Sequence, residues 1–266
     1  MACLIVNGAD SSLIEIHSND TNSMKHSVAR LLLELGNRLT ALGTSAGAGK
    51  WDTAFRDWIA RAERQGLDPN DVGDEAWEND YLAQSLEDRY LRYVPQGGTV
   101  LELGPGSGRL TRHLIGRAGR VELVDHSRFV IDWIQKYLSG KIDYRAQRIS
   151  KPLLPHISEN SIDTVLAHGV FEHLDFDETY FFLAEFCRVI KPGGHVSFNY
   201  NTIHSSGGMQ WFSDHVREPG TRCIFRFYTP DFMIHLAERA GLTVVESLTS
   251  EHRLAHLILT KVQRPQ

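Results

Sequence analysis

From residue 96 onward, apolar residues occur in short continuous runs that are separated by longer stretches with helical spacing. The short runs predict strands at 99–103, 119–125, 142–147, 161–167, 195–201, 242–248 and 254–262. Apolar residues three and four positions apart predict helices at 108–116, 128–139, 177–190 and 231–240. Strands that alternate with helices are typical of the α/β class, in which helices cover both faces of a mainly parallel sheet.

The first 95 residues follow a different pattern. Residues 1–24 are rich in Asn, Asp and Ser and show no clear period, so we expect a loosely ordered lead-in there. Over residues 25–95, apolar residues recur at helical spacing and predict amphipathic helices at 25–42, 51–65 and 75–94. Such helices need a partner surface, and we expect these accessory helices to pack against an α/β domain formed by residues 96–266.

A glycine-rich turn follows the first strand of this domain. Gly104, Gly106 and Gly108 stand at every second position, where the backbone can turn tightly and lie against a ligand. The next predicted strand ends in Asp125, and a carboxylate at that place commonly binds ribose hydroxyls. Arg109 occupies the position of a glycine in the dinucleotide fingerprint, which argues against NAD. The pattern predicts a ribose-bearing ligand of another kind.

The segment Glu102–Gly108 reads acidic-x-Gly-x-Gly-x-Gly and resembles motif I of the class I S-adenosylmethionine-dependent methyltransferases. The segments 160–167, 170–174 and 188–194 follow in that family's order and spacing, so the resemblance extends from about residue 96 to 201. It implies a doubly wound sheet of seven mostly parallel strands, in the order 3-2-1-4-5-7-6 with the last strand antiparallel. It also implies N-terminal accessory helices.

The resemblance implies S-adenosyl-L-methionine as the cofactor, and it assigns residues to the parts of that molecule. The implied cofactor-binding residues are Glu102, Gly104, Gly106, Gly108, Asp125, His126 and His168. Glu102 and the glycine turn would hold the methionine part, Asp125 the ribose diol, and His126 would lie beside the adenine.

Two of these assignments have alternatives. Asp125 could instead cap the helix that follows it, since Asp is a favoured N-cap residue. The acidic residue that this family typically places after the third strand is absent from residues 146–150. The adenine contact therefore stays open between Gln147, Ser150 and backbone carbonyl groups.

Polar side chains follow the fourth and fifth predicted strands, where an acceptor molecule is expected. They are His168, Glu172, His173, Tyr200 and His204. Methyl transfer from a sulfonium requires mainly alignment and exclusion of water, and a base assists where the acceptor must lose a proton. We expect His173 to be the best candidate for that base, with His168 and Glu172 as the other catalytic candidates. The alternative is that His173 caps or supports the 177–190 helix.

Glu172 and His173 are also similar to the metal-binding branch of the family, which has the pattern Glu-x-x-Glu-His. Gly169 stands in place of the first Glu. Because two ligands rarely hold a divalent ion, we expect no metal.

The flanking segments are expected to cover the site. In the family that this chain resembles, accessory helices such as those in 25–95 commonly fold over the cofactor and acceptor. The alternative is that Trp51, Trp58 and Trp77 only pack these helices onto the core. Residues 201–228 mix glycines, aromatic residues and arginines, and we expect a cover loop that faces the acceptor.

Composition limits the partners of this 266-residue chain. A net charge of −5 argues against a duplex nucleic-acid substrate, which normally selects a basic face. No stretch approaches the roughly 20 apolar residues of a membrane span, and the apolar start of the chain lacks a basic leader. Cys3, Cys187 and Cys223 form no CxxC pair. We expect a cytoplasmic protein with a small-molecule acceptor, no membrane and no nucleic-acid partner, and an oligomeric state that the sequence leaves open.

The expected function is methyl transfer from S-adenosyl-L-methionine to an oxygen or nitrogen of a small molecule, with oxygen slightly favoured. One alternative is a catalytically silent protein that binds S-adenosylmethionine and serves as a scaffold. The other is a nicotinamide-dependent reductase, against which Arg109 argues.

Overall fold

The computed structural model describes residues 51–71, 85–216, 225–249 and 251–262. The chain divides into two compact units, Met1–Ala46 and Gly47–Gln266, and every described residue belongs to the second unit. The lead-in predicted over 1–24 and the helix predicted over 25–42 lie outside the described residues, as does the first half, 75–84, of the helix predicted over 75–94.

A seven-stranded sheet forms the centre of the described unit. Its strands are β1 (Thr99–Leu103), β2 (Arg120–Asp125), β3 (Asp143–Arg148), β4 (Ile162–Ala167), β5 (Ile190–Asn201), β6 (Thr243–Leu248) and β7 (Leu254–Thr260). They lie in the order β3-β2-β1-β4-β5-β7-β6. Neighbouring strands are parallel except at β7, which is antiparallel to both β5 and β6. The predicted fold class, strand order and antiparallel last strand are confirmed.

The burial of each strand follows from its place in this order. The central strands β1 and β4 are buried along nearly their whole length, which explains their continuous apolar sequences. The edge strands β3 and β6 alternate between exposed and less exposed positions, because one face of each is open to water.

Five helices of the described residues flank the sheet. They are α1 (51–65), α2 (Arg128–Leu138), α3 (Phe176–Val189), α4 (Ser206–His215) and α5 (Pro230–Arg239). The largest core cluster includes Phe182 and Phe186 of α3 and Phe198 of β5. The helices predicted at 128–139, 177–190 and 231–240 are confirmed within one residue at each end.

The helix predicted at 108–116 is wrong. The chain forms only a 3-10 turn at Thr111–Leu114, because Gly108 and Gly116 both adopt left-handed backbone angles, with φ of +100° and +81°. These two residues turn the chain at either end of the segment and leave room for a single turn.

The helix predicted over 75–94 is also irregular where the structure describes it. A π-helical turn at Leu86–Tyr90 runs into a 3-10 turn at Leu91–Tyr93. Tyr90 and Leu91 are neighbours in sequence and both are buried, which the changed winding allows.

The connection predicted as a cover loop over 201–228 contains a helix instead. The Ser205 hydroxyl accepts a hydrogen bond from the Gly208 N–H at 3.0 Å and caps α4. A Cβ atom at Gly207 would lie 2.5 Å from the Glu251 carbonyl oxygen, so the backbone there admits only glycine. Two glycines lower the helix propensity of the sequence, and this tertiary requirement explains why the pattern concealed a helix.

Strand β5 also begins earlier than predicted, at Ile190 rather than at residue 195. Ile190 pairs with Ile162 of β4, and the Gly193 N–H donates to the Lys261 carbonyl oxygen at 2.8 Å. The segment expected only to stop α3 therefore also joins the sheet.

The turn after β1 is packed from two sides. Gly104 has a φ of +68°, and a Cβ atom there would lie 2.4 Å from Cγ2 of Val170, in the connection after β4. At Gly106, with a φ of +56°, a Cβ atom would lie 3.2 Å from Cζ of Phe55 in α1. The absence of side chains thus allows the β4 connection and α1 to approach this turn closely.

Below this turn, β1 carries a buried carboxyl group. Glu102 is 2% exposed, and the Thr111 hydroxyl donates to its Oε2 atom at 2.7 Å. Burial raises the pKa of Glu102 to about 7, and the Thr111 hydrogen bond opposes that rise in part.

We expect Gly104→Ala to lower the free energy of unfolding more than Gly116→Ala. Both changes carry the left-handed cost of about 1 to 2 kcal/mol, but only the Gly104 change adds a clash, worth about 1 to 3 kcal/mol. A Cβ atom at Gly116 meets nothing within 4 Å. Urea unfolding measures both variants. Adding Val170→Ala to Gly104→Ala should remove the clash and restore that part of the lost free energy of unfolding. Equal losses for the two glycine variants would contradict this account.

Because the pKa of Glu102 is raised in the folded protein, the folded state holds this proton more tightly than the unfolded chain. The free energy of unfolding should therefore fall as the pH rises through the range between the ordinary glutamate value and about 7. We expect Glu102→Gln to weaken this dependence and to raise the free energy of unfolding at pH 8 by about 1 to 3 kcal/mol. Unfolding titrations at pH 5 and pH 8 test it.

The matched control for this prediction is Glu122→Gln. Glu122 is also buried, but it accepts a hydrogen bond from Arg120 at 2.9 Å. Its replacement removes an ion pair, and it should give no stabilisation at pH 8. A loss of stability for Glu102→Gln at pH 8 would mean that the buried carboxyl group is held by a favourable interaction.

Candidate active site

The ends of several strands meet at one edge of the sheet. Strands β1, β2, β4 and β5 are parallel, so their carboxyl ends lie at the same edge. Because β7 is antiparallel to β5, its beginning lies there as well, and Asn201 pairs with Leu254. In open α/β sheets, ligands bind at this edge, near the point where the strand order reverses.

Asp125 lies at the end of β2 on this edge. Its Oδ1 atom accepts a hydrogen bond from the Ser127 N–H at 2.7 Å. The N-cap of α2 is Ser127, whose hydroxyl accepts from the Val130 N–H at 3.1 Å. The N-cap alternative for Asp125 therefore does not apply. Its ribose role stays a prediction.

The Asp125 side chain is only partly accessible to water. Burial raises the pKa of Asp125 to about 7, and the nearby carboxylate of Asp52 adds to the rise. Hydroxyl groups that donate to this carboxylate would favour its charged form. Asp125 therefore has the properties required to bind a diol.

The first turn of α1 spans three strand ends. The Asp52 carboxylate accepts hydrogen bonds from the Ser127 hydroxyl and, at 3.3 Å, from the Phe129 N–H, both at the start of α2. The ring of Trp51 lies 4.6 Å, between centroids, from the ring of His173 after β4. With Phe55 against the glycine turn, α1 therefore lies across the ends of β1, β2 and β4.

The residues at this edge fit S-adenosyl-L-methionine. The glycine turn has left-handed backbone angles and no side chains at its three glycines, and Asp125 can accept hydrogen bonds from a ribose diol. Glu102 and Asp125 both have a pKa raised to about 7, and a cationic ligand beside them would favour their charged forms. The Glu102 side chain is buried below the turn, so its predicted contact with the methionine part of the cofactor stays a prediction.

His126 follows Asp125 and faces the end of β3. Its carbonyl oxygen accepts a hydrogen bond from Arg148 Nε at 2.9 Å. Burial, assisted by the Arg148 charge, lowers the pKa of the His126 imidazole. A neutral ring at this position is compatible with the predicted place beside the adenine, which stays a prediction.

His168 belongs to a buried polar network at the end of β4. Its Nδ1 atom lies 2.9 Å from the Tyr90 hydroxyl, which also donates to Asn199 Oδ1 at 3.3 Å. Asn199 Oδ1 accepts from the Gly169 N–H at 2.8 Å as well. Burial, and next the charge of Arg109, lower the pKa of His168 well below its usual range. The His168 imidazole is therefore neutral and fixed by the Tyr90 hydroxyl. These properties fit a residue that lines the cofactor better than a base that accepts a proton.

Glu172 is held by an arginine that the sequence did not reveal. Its side chain is 2% exposed, and Arg253 Nη1 donates to its Oε2 atom at 2.6 Å. The same Nη1 atom donates to Asn201 Oδ1 at the end of β5. Arg253 directly precedes β7, so it is not among the residues that follow strands, which were expected at the site. The signal that could have identified it is the antiparallel last strand, because the beginning of such a strand lies beside the carboxyl ends of the parallel ones.

His173 lies among aromatic rings. Its ring centroid is 4.6 Å from that of Trp51 and 5.2 Å from that of Phe225. Its Nε2 atom is 3.7 Å from Glu172 Oε1. It does not cap α3, because the N-cap of that helix is Asp175. We call the rings of Trp51, His173, Trp211 and Phe225, together with the Glu172 carboxylate beside them, the aromatic wall.

Two other candidates lie away from the aromatic wall. Tyr200 is fully buried, and its ring packs against those of Phe198 and Tyr228. His204 is exposed on the connection to α4. Within the described ranges, no group of three His, Cys, Asp or Glu residues could hold a metal ion. No helix among these residues is long and apolar enough to cross a membrane.

Comparison with known proteins adds to this picture. Residues 101–198 match the family described as a methyltransferase domain. The chain is 30% identical over 176 residues to phosphoethanolamine N-methyltransferase 1 from Triticum aestivum, an alignment that covers 64% of this chain and 34% of that relative. The chain spans about a third of the length of the curated plant relatives that it matches.

Solved structures share the fold. An S-adenosylmethionine-dependent methyltransferase from Aquifex aeolicus has a TM-score of 0.54 at 17% identity, over 71% of this chain and 96% of its own. A structure of the complex between the Haloferax volcanii Trm112 methyltransferase activator and a methyltransferase gives 0.57 at 18% identity, over 79% of this chain and 98% of the matched one. The family match identifies residues 101–198 as a methyltransferase domain, and the order of the seven strands is the one that the resemblance to the class I S-adenosylmethionine-dependent methyltransferases implies.

Proposed function

We propose that this chain is a methyltransferase that transfers a methyl group from S-adenosyl-L-methionine to a nitrogen or oxygen of a small molecule, with nitrogen now favoured. The observation that carries the proposal is the aromatic wall beside the glycine turn. S-adenosyl-L-methionine at the glycine turn and the acceptor at the aromatic wall would then meet at the same edge of the sheet.

An aromatic wall with a buried carboxylate suits an acceptor that carries an amine. Trp51 offers a ring that attracts a cation, and the Glu172 carboxylate, which already pairs with Arg253, can also balance a proton on His173. The relatives from Triticum aestivum are named phosphoethanolamine N-methyltransferases, which also favours nitrogen. Both facts support an ammonium-bearing small molecule over a hydroxyl compound.

The bound cofactor would supply an electrophilic methyl group on a positively charged sulfur. The acceptor nitrogen must lose a proton before its lone pair can form the new nitrogen–carbon bond. We assign His173 to receive that proton, and the Glu172 carboxylate 3.7 Å away would stabilise the resulting imidazolium. The electrons of the broken carbon–sulfur bond remain on sulfur, so the charge balances. The surrounding rings would exclude water.

Other sequence-based expectations stay predictions. Residues 25–95 and 201–228 would cover the site, and the contacts of α1 with Gly106, Ser127 and His173 support this for the part that is described. The absence of a metal and the cytoplasmic location also stay predictions.

The first test separates this function from its two rivals. S-adenosylmethionine and S-adenosylhomocysteine should raise the melting temperature and NAD should not, because a ligand that binds only the native state stabilises it. Labelled methyl transfer to phosphoethanolamine should exceed transfer to 2-hydroxyethyl phosphate, which replaces the amine by a hydroxyl group. Binding without transfer to any acceptor would support the silent scaffold, and stabilisation by NAD alone would support the reductase.

The second test separates cofactor binding from chemistry. Asp125→Ala should weaken cofactor binding by about 1.5 to 3 kcal/mol, because it removes charge-assisted hydrogen bonds to the diol. His173→Ala should leave cofactor affinity nearly unchanged and lower kcat by about 10² to 10⁴. Calorimetric titration and saturation kinetics measure the two effects.

The control for Asp125→Ala is Asp143→Ala. It removes an exposed carboxylate at the start of β3, at the edge of the sheet opposite to Asp125. It should change neither affinity nor kcat. If His173→Ala keeps a near-native kcat, His173 is not the proton acceptor, and alignment of the reactants accounts for catalysis.

A further inference from the structure

Arg253 joins parts of the chain that are distant in sequence. Its Nη1 atom holds Glu172 after β4 and Asn201 at the end of β5. The Thr202 N–H donates to its carbonyl oxygen at 2.9 Å. Arg253 is thus fixed through both its backbone and its side chain at the edge where the acceptor is expected.

The flat face of the same guanidinium contacts the aromatic wall. Its Cζ atom lies 4.7 Å from the ring centroid of Trp211 in α4 and 5.9 Å from that of Phe225. The rings of Trp211 and Phe225 are 5.7 Å apart. One side chain thus binds a carboxylate with its edge and supports two aromatic rings with its face, a combination that suits arginine and not lysine.

The start of α4 is attached to the same segment. The Gly207 N–H donates to the Glu251 carbonyl oxygen at 3.0 Å, and the Ser205 hydroxyl donates to the His252 carbonyl oxygen at 2.5 Å. The Ser206 hydroxyl also donates to the Glu251 carboxylate at 2.8 Å. The residues before β7 therefore control where α4 lies.

We propose that Arg253 is a positioning residue for the transfer reaction, acting through Glu172 and Trp211 on the acceptor side of the site. Arg253 occupies Oε2 of Glu172, so that Oε1 is directed toward His173. It also holds Trp211, and with it α4, against the site. This inference rests on the proposed methyltransferase function and deepens it.

The principal test is a double-mutant cycle with phosphoethanolamine as acceptor and labelled S-adenosylmethionine as donor. We expect Arg253→Met to lower kcat/KM by about 10- to 100-fold, with a rise in acceptor KM and a fall in kcat. Cofactor affinity by calorimetry should change by less than about threefold, since Arg253 contacts the acceptor side. Arg253→Lys should recover part of the loss, because it keeps the charge beside Glu172.

Coupling through Glu172 has its own signature. If Arg253 acts in part through that carboxylate, the loss of activity in the double variant Arg253→Met/Glu172→Gln should be clearly smaller than the two single losses combined. The double variant also avoids a buried carboxylate without a partner, so it keeps the test valid if Arg253→Met folds poorly. Additive losses in the double variant would overturn the proposal.

Arg92→Met is the matched control. Arg92 also forms an ion pair, with Glu246, and its Cζ atom lies 4.7 Å from the ring centroid of Tyr93. Tyr93 contacts His195, which pairs with Thr260 at the far end of β7. This control should change neither kcat nor KM. Equal effects of the two arginine changes would reduce Arg253 to a general stabilising role and overturn the proposal.

Hydrogen exchange distinguishes failure of this inference from failure of the proposed function. Arg253→Met should speed amide exchange in α4 and leave α2 unchanged. Unchanged exchange in α4 would overturn the positioning role even in an active enzyme. If the wild-type protein transfers no methyl group to phosphoethanolamine or any other acceptor, the proposed function fails and the positioning role in transfer fails with it.

Discussion

The site depends on the close approach of Val170 to Gly104. Strand β1 is paired on both sides and is followed by a glycine whose backbone angle is left-handed, so the chain leaves the sheet with no side chain toward the β4 connection. Val170 fills the space where a Cβ atom would lie. This contact fixes the β4 connection, and with it Glu172 and His173, beside the glycine turn.

Three carboxyl groups lie at or below this edge, two of them buried and one partly exposed, and they differ in their partners. Glu102 and Asp125 have hydrogen-bond donors but no close cation among the described residues, and burial raises the pKa of each to about 7. Glu172 has an arginine at 2.6 Å. An unpaired buried carboxylate is costly, and a cationic ligand relieves that cost. The cofactor side thus suits a positively charged ligand, whereas the negative charge on the acceptor side is already balanced.

The antiparallel strand β7 brings a second part of the chain to the site. Reversal of a single strand places Arg253 beside the ends of β4 and β5, although Glu172 lies 81 positions earlier in the sequence. The segment before β7 also carries the start of α4.

The sequence by itself determined the strands, their order by resemblance, and the residues that follow β1, β2 and β4. These signals are local, because continuous apolar runs, glycines at fixed spacing and residues at strand ends depend on near neighbours. The tertiary structure alone decided that residues 108–116 form a 3-10 turn, that α4 exists, and that Arg253 pairs with Glu172. The last two depend on contacts between distant segments, such as the approach of Glu251 to Gly207, and the first on left-handed angles at Gly108 and Gly116; local periodicity encodes neither.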